Sequence, residues 1–193
     1  MLTIERAEEI LTKTEALLTG HFLLTSGKHS DKYMQCAKVL QYPNYAEELL
    51  KDIADSFKDD NVDVVVAPAT GGIIVGYELA RQLGCKNIFA ERENGEMKIR
   101  RGLEIEKGMR VIVAEDVTTT GGTVQEIIDL MTCLGAEVVG VALLVDRSKG
   151  AVDFKVKTRS AYVADVVAWE ADNCPLCKEG KSPAVKPGSR GLR

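Results

Sequence analysis

Apolar runs of strand length alternate with helical periodicities through the middle of the chain. The runs are typical of strands covered on both faces, because apolar residues follow one another with few polar interruptions. The predicted strands cover 62–69, 87–91, 110–117 and 138–146, and the predicted helices between them cover 73–83 and 124–134. Strands separated by helices of this length form βαβ units. The pattern therefore predicts an α/β fold with a central, mostly parallel sheet flanked by helices.

The N-terminal region carries a different pattern. Residues 4–18 have the spacing of an amphipathic helix, which Gly20 would close, and residues 22–35 are predicted to be a polar loop with strand-like ends. A second helix begins at Pro43, and its apolar face comprises Tyr45, Leu49, Ile53 and Phe57. We expect the extra N-terminal elements to form a small hood subdomain over one edge of the sheet.

Length and composition indicate one domain, residues 1–193, in which residues 1–40 contribute to the hood and residues 172–193 form a C-terminal tail. The formal charge of −4 argues against a large basic surface for nucleic acid. No apolar run approaches the length of a membrane span. The five cysteines, an odd number, suit reduced thiols better than a disulfide framework. We therefore expect a cytoplasmic protein without nucleic-acid or membrane partners.

The segment 111–123 carries the clearest chemistry. An apolar strand ends in two carboxylates, which can accept hydrogen bonds from a vicinal diol, and the hydroxyls and glycines that follow can bind a phosphate in front of a helix N-terminus. The residues of this predicted ribose-phosphate site are Glu115, Asp116, Val117, Thr118, Thr119, Thr120, Gly121, Gly122 and Thr123. The alternative is an ordinary strand-to-helix turn. Neither G-x-x-x-x-G-K-[ST] nor G-x-G-x-x-G occurs, which argues against an ATPase or a nicotinamide enzyme.

This string resembles the signature of the type I phosphoribosyltransferases, and three further segments make the resemblance specific to the members that act on orotate. The resemblance implies that family's fold, with 5-phosphoribosyl diphosphate (PRPP) and orotate as substrates and orotidine 5′-monophosphate and diphosphate as products. It also implies Mg²⁺ that is held mainly by the substrate diphosphate, with no protein metal ligands. A homodimer with shared active sites is implied as well.

The first two segments are glycine loops. Residues 22–33 resemble the family's N-terminal loop, which lies over the base, and this implies that Ser26, Gly27 and Lys28 contact orotate. Residues 67–73 resemble the diphosphate loop, in which the N–H groups of Gly71 and Gly72 bind an oxygen. The alternatives are a solvated surface turn for the first loop and an ordinary βα turn for the second.

The third segment, residues 91–102, lies where the family has a mobile catalytic loop that closes over the neighbouring subunit's active site. Its candidate cations for the departing diphosphate are Arg92, Lys98, Arg100 and Arg101. The alternative for such a charged run is a solvated face. The Asn94-Gly95 pair within it predicts a hairpin turn.

Base recognition is assigned to Arg147, at the end of the strand 138–146. The resemblance implies that this arginine holds the orotate carboxylate, in keeping with the bidentate geometry of a guanidinium, and that Thr119 contacts the base beside it. Two rivals remain. A purine phosphoribosyltransferase would share the PRPP site but accept another base, and a non-catalytic nucleotide-sensing regulator would keep only the pocket.

The histidines and the tail cysteines have no assigned chemistry. Neither His21 nor His29 has a metal-type or triad-type partner at useful spacing; His21 is interpreted as a structural turn residue, and His29, in the N-terminal loop, as a residue that could approach substrate. Cys174 and Cys177 form one C-x-x-C, which is half of a four-thiolate zinc site, so zinc would require a second pair from a dimer mate. Redox pairing or two free thiols are the alternatives, and the chemistry needs neither cysteine.

Overall fold

Two sheets organise the fold. The computed structural model describes residues 2–180 and 182–187. The strands are β1 (Leu17–Leu23), β2 (His29–Met34), β3 (Val64–Pro68), β4 (Lys86–Glu93), β5 (Glu96–Ile99), β6 (Arg110–Thr118), β7 (Glu137–Asp146), β8 (Lys157–Val163) and β9 (Ala168–Trp169). The helices are α1 (Ile4–Lys13), α2 (Ala37–Leu40), α3 (Pro43–Phe57), α4 (Gly71–Leu83), α5 (Gly122–Cys133) and α6 (Pro175–Glu179). None of the described helices is long and apolar enough to cross a membrane.

The central sheet has the strand order β5-β4-β3-β6-β7-β8 and is parallel except for β5. Its two faces are both covered. Val65 and Ala67 pack into a core with α1, α3 and α4, whereas Val64 and Val66 pack into a second core with α5. This alternation follows from the two-residue period of a strand. The predicted mostly parallel sheet with helices on both faces is confirmed.

The local predictions in this region are confirmed to within a few residues. Helix α3 begins at Pro43, whose fixed φ and missing N–H suit the first helical turn, and it buries Leu49, Ile53 and Phe57. The Asn94-Gly95 turn joins β4 to β5, with both residues at positive φ (52° and 90°), as a tight two-residue hairpin requires. Strands β5, β8 and β9 and the short helices α2 and α6 were not predicted.

The predicted helix over 4–18 is wrong beyond Lys13. The Thr14 hydroxyl donates to the Ile10 carbonyl, and Glu15 takes a positive φ of 57°, so the helix ends there. Leu17–Leu23 is strand β1, which pairs antiparallel with β2. The segment predicted as a polar loop with strand-like ends is thus half of a hairpin, and its strand character runs further than expected.

The small sheet has the order β1-β2-β9 and draws on both ends of the chain. Its third strand, β9, pairs with His29 and Ser30 of β2. A segment of the tail lies along the other edge, where the Leu23 N–H donates to the Val185 carbonyl (2.8 Å) and the Val185 N–H donates to the His21 carbonyl (2.9 Å). The C-terminal segment is therefore built into the hood.

Candidate active site

The acidic pair lies at the carboxyl end of β6, against the glycine loop that begins α4. Glu115 is buried and Asp116 is half-buried. A Cβ atom on Gly71 would lie 2.4 Å from Oδ2 of Asp116, and one on Gly72 would lie 3.1 Å from Oε1 of Glu115. Only glycine permits this approach at position 71. The structure thus brings together the predicted ribose and diphosphate segments, at the sheet edge where parallel α/β folds bind ligands.

Burial, and then the contact with the Asp116 carboxyl group, raise the pKa of Glu115 to about 8 despite an opposing hydrogen bond from the Asp116 N–H. That N–H donates to Oε1 of Glu115 at 3.0 Å. Two neighbouring carboxyl groups in a desolvated site avoid carrying two charges by retaining a proton. The ligand-free pair therefore holds a proton at neutral pH, on the Glu115 side.

The segment after the pair forms a tight turn at the start of α5. Thr118 is buried, whereas Thr119 and Thr120 are exposed at the loop surface. Gly121 has a φ of 79°, and a Cβ atom there would lie 2.6 Å from Cγ1 of Val152, so a side chain at this position meets both strain and a clash. Helix α5 then begins at Gly122 with no side-chain cap on its first turn among the described residues. Its N–H groups are left for an anion.

A cavity of about 290 Å³ lies beside this turn, between the hood and the central sheet. It is lined by Leu23, Leu24, Thr25, Ser26, Tyr33, Met34, Thr119, Arg147, Lys186 and Pro187. The predicted base-contacting pair, Thr119 and Arg147, therefore meets in one cavity. The Arg147 N–H donates to the Thr118 carbonyl at 2.9 Å, which holds the arginine next to the turn at the start of α5.

The Arg147 side chain is only partly satisfied. Its Nε atom is buried and has no hydrogen-bond partner among the residues that the structure describes. A buried donor left unpaired costs about 1–3 kcal/mol, so such groups are uncommon unless a ligand completes them. The arrangement indicates an anionic or carbonyl acceptor in the cavity.

The N-terminal loop contributes in part. Ser26 lines the cavity, and its contact with orotate stays a prediction, whereas Gly27 and Lys28 are not among the lining residues. Lys28 instead forms an ion pair with Glu170 at 2.9 Å. Direct contact of Gly27 and Lys28 with orotate stays a prediction.

The sequence missed a second cation at the cavity, Lys186. Lys186 lies there because neighbouring Val185 pairs with β1. The two segments are far apart in the sequence, so the local spacing of residues does not indicate this contact. Tyr33 and Met34, at the end of β2, were also missed as lining residues. Strand character at the end of the predicted loop was the one available signal for them.

The charged segment 91–102 forms the β4–β5 hairpin and the turn after it. Each candidate cation is ion-paired within the chain: Arg92 with Glu126, Lys98 and Arg100 with Glu93, and Arg101 with Glu91. None of the four lines the cavity that contains Thr119 and Arg147. Their action on a neighbouring subunit's diphosphate stays a prediction.

The expectation that His21 and His29 lack metal-type partners is wrong. One potential ligand atom from each of His21, His29, Cys174 and Cys177 lies within 4.8 Å of all the others. Two histidines of the same chain thus lie beside the C-x-x-C of the tail, so a four-ligand set at this place would not require a second pair from a dimer mate. Strand pairing in the hood and the return of the tail produce this proximity, which sequence spacing does not show.

Comparison with known proteins agrees with the site. A model of the phosphoribosyl transferase domain matches residues 38–172. The chain is 55% identical over 188 residues to the orotate phosphoribosyltransferase of Caldanaerobacter subterraneus subsp. tengcongensis, covering 97% of this chain and 98% of that one. It is 50% identical over 186 residues to the Thermotoga maritima orotate phosphoribosyltransferase, covering 96% and 99%.

Solved structures show the same fold. Orotate phosphoribosyltransferase from Aeropyrum pernix superposes with a TM-score of 0.67 at 26% identity, over 80% of this chain and 92% of that one. Adenine phosphoribosyltransferase from Rhodothermus marinus superposes with a TM-score of 0.64 at 23% identity, over 82% and 99%, and shows the fold alone. With the family model and the full-length relatives in agreement, this chain belongs to the orotate phosphoribosyltransferases of the phosphoribosyl transferase family.

Proposed function

We propose that the chain transfers the 5-phosphoribosyl group from PRPP to orotate, giving orotidine 5′-monophosphate and diphosphate in de novo pyrimidine biosynthesis. The observation that carries this proposal is the buried, unpaired Nε of Arg147 in a cavity beside the turn at the start of α5. Orotate offers a planar carboxylate, which is the acceptor that a guanidinium binds best. Lys186, at the same cavity, adds positive charge for this anion.

The acidic pair would hold the ribose hydroxyls. In the ligand-free chain, the retained proton lets Glu115 donate while a carboxylate oxygen of the pair accepts, which matches the donor and acceptor character of a diol. The retained proton also limits negative charge beside the diphosphate. As the bond from ribose to diphosphate weakens, positive charge grows on the sugar, and the nearby carboxylate stabilises it. The orotate nitrogen forms its bond to the sugar carbon as the bond to diphosphate breaks, diphosphate leaves with the electron pair, and the proton of the orotate N–H passes to solvent or to the diphosphate.

A thiol nucleophile is not part of this mechanism. Cys36 is the cysteine next to the acidic pair, with its Sγ 3.5 Å from the Asp116 carbonyl. Burial raises the pKa of Cys36 far above its usual range, and the two carboxyl groups raise it further. A thiol that stays protonated is a poor nucleophile. Direct transfer from PRPP to the base needs no covalent intermediate.

We propose Mg²⁺ as the cofactor, bound mainly through the diphosphate of PRPP. The half-buried Asp116, facing Gly71, presents the hard carboxylate oxygens that suit this ion. Bound Mg²⁺ would neutralise charge on the leaving group. The backbone N–H groups of Gly71 and Gly72 would orient the diphosphate, and the N–H groups at the start of α5 would hold the 5′-phosphate.

We also propose a homodimer in which the β4–β5 hairpin of one subunit completes the site of the other. Its cations form exposed ion pairs, and exposed pairs contribute only about 0–1 kcal/mol, so a diphosphate can displace their carboxylates. Ile74 and Tyr77, one turn apart on α4, are 47% and 65% exposed and offer apolar surface for a second copy. The unpaired state of the cysteines suits the reducing cytoplasm, where we place the enzyme.

The rival functions fit the site less well. A purine lacks the carboxylate that Arg147 and Lys186 would bind, although adenine phosphoribosyltransferase shares the fold. A regulator that acts on nucleic acid would need a basic surface, whereas the formal charge is −4.

A base screen tests the proposal. The purified chain, with PRPP and Mg²⁺, is offered orotate, adenine, hypoxanthine, guanine or xanthine in separate reactions, and nucleotide formation is followed. Asp116→Asn, purified identically, serves as the control for enzymes carried over from the expression host. Consumption of orotate by the unmodified chain alone supports the proposal. Turnover of a purine without turnover of orotate would overturn it.

A further inference from the structure

We propose that His21, His29, Cys174 and Cys177 form a structural Zn²⁺ site that ties the C-terminal tail to the hood. His21 lies on β1, His29 lies on β2, and the two cysteines flank the start of α6. The ligand atoms are Nε2 of His21, Nδ1 of His29 and the two sulfurs. Two thiolates and two imidazoles are a ligand set that favours zinc in tetrahedral geometry.

The distances between these atoms suit one ion at their centre. Zn–S bonds of about 2.3 Å and Zn–N bonds of about 2.0–2.1 Å, at tetrahedral angles, set N···S separations near 3.5 Å and an N···N separation near 3.3 Å. Nε2 of His21 lies 3.5 Å from the Cys174 sulfur and 3.6 Å from the Cys177 sulfur, and Nδ1 of His29 lies 3.3 Å from the Cys177 sulfur. The two nitrogens, 2.9 Å apart, need to separate by only a few tenths of an ångström.

Hydrogen bonding alone explains the cluster less well. Nδ1 of His21 lies 2.9 Å from the Ser182 carbonyl, to which its N–H can donate. This contact fixes the tautomer in which Nε2 carries a single lone pair, the arrangement found when a metal-bound histidine is oriented by a backbone carbonyl. Three groups, from His29, Cys174 and Cys177, lie close to this lone pair, which can accept a hydrogen bond from only one of them. A metal ion at the centre would engage all four ligand atoms at once.

Burial and charge agree with a structural site. Cys174 is 0% exposed and His21 is 6% exposed, whereas His29 is half-buried and Cys177 is exposed, so the ion would be partly enclosed, with its exposed side at Cys177. Four protein ligands leave no open position for a reacting water, which distinguishes structural from catalytic zinc. Binding would release one proton from each thiol to solvent, and two thiolates balance the charge of Zn²⁺. The completed site is electrically neutral, as its partly buried position requires.

The site has a consequence for the base cavity. The segment after Cys177 returns along β1 and presents Lys186 and Pro187 to that cavity. The hairpin that carries His21 and His29 also carries Thr25 and Ser26, which line the same cavity. Bound zinc would fix the tail segment and the β1–β2 hairpin, which form two walls of the cavity, relative to each other. This last step rests on the proposed function, whereas the metal site does not.

Metal analysis of the purified chain without a histidine tag tests the site. We expect about one zinc per chain after desalting, in keeping with a four-ligand structural site. Cys177→Ser should lose the zinc. Loss of a residue that only supports a ligand weakens metal binding roughly 10- to 100-fold, and loss of a direct ligand should weaken it more. Cys133→Ser, which changes an exposed cysteine outside the cluster, is the matched control and should keep its zinc.

A second measurement covers the case in which Cys177→Ser does not fold. Titration of the metal-free, reduced chain with Co²⁺ should give the intense visible absorption of tetrahedral thiolate coordination, and Zn²⁺ should abolish it. Absence of both zinc and this spectrum would overturn the proposal, as would one zinc per two chains or a Cys174–Cys177 disulfide in freshly purified protein. A separate arm measures the KM for orotate, which zinc removal should raise while the KM for PRPP is unchanged.

Discussion

Replacing Arg147 with alanine should separate orotate binding from PRPP binding. The arginine lines the base cavity, and its buried Nε has no partner among the described residues, so this donor is available to the orotate carboxylate. The contacts proposed for PRPP belong instead to residues 115–123 and the glycine loop at 71–72. We therefore expect the KM for orotate to rise and the KM for PRPP to change little.

The magnitude follows from the kind of contact that is lost. A hydrogen bond to a charged group contributes about 1.5–3 kcal/mol, and each 1.4 kcal/mol is a factor of ten, so the KM for orotate should rise roughly ten- to a hundredfold. Arg147→Lys should recover only part of this loss, because an ammonium group lacks the planar fork. Thermal stability should be nearly unchanged, because the unliganded chain loses no hydrogen bond at Nε.

Steady-state kinetics with each substrate varied at saturating levels of the other provide the assay. Arg159→Ala, which removes an exposed arginine on β8, is the matched control and should leave both KM values unchanged. Equal weakening of orotate and PRPP in Arg147→Ala would mean general damage to the pocket. An unchanged KM for orotate would refute the assignment and direct attention to Lys186.

Three further changes test the acidic pair and its surroundings. Asp116→Asn should lower kcat by more than tenfold with little change in the melting temperature, since it removes a charge that stabilises the transition state; near-normal turnover would remove Asp116 from the mechanism. Because the pKa of Glu115 is raised from 4.5 to about 8 in the folded chain, the ligand-free protein should lose unfolding free energy as pH rises between those values. Urea unfolding across that range should show a shallower decline for Glu115→Gln, and an identical decline in both proteins would contradict the raised pKa. Gly71→Ala should abolish most activity, because its Cβ would lie 2.4 Å from Oδ2 of Asp116, and full activity would show that the loop is not held there.

The central sheet could be predicted because the apolar runs of its strands indicate, from local sequence alone, that these strands are buried. Every residue of Val64–Pro68 is buried, and a continuous apolar run of this length is typical of a parallel strand that is covered on both faces. The first two residues of β1, Leu17 and Leu18, were assigned to the preceding helix because they suit either period, and their strand state depends on pairing with β2. Strand β8 was not predicted because Tyr162 is its only buried residue and most of its other residues are half-exposed. Its sequence therefore lacks a clean alternation of apolar and polar positions.

The same distinction, between features that are local in the sequence and contacts between distant residues, applies to the site. The 115–123 segment and Arg147 were predictable because a strand end, a turn and a helix start are local features of the sequence. Lys186 and the His21–Cys174 contact were not, since the latter joins residues 153 positions apart through the return of the tail. The charged hairpin was located correctly by its Asn94-Gly95 turn, but the carboxylates that pair with its cations include Glu126 on another element.

A crystal structure of the chain with orotate and a non-reactive PRPP analogue would show directly whether Arg147 binds the base. We expect the orotate carboxylate within hydrogen-bonding distance of Arg147 Nε, the ribose hydroxyls on Glu115 and Asp116, and the 5′-phosphate at the N-terminus of α5. Orotate bound outside this cavity, or an Arg147 Nε still unpaired with both ligands in place, would contradict this expectation.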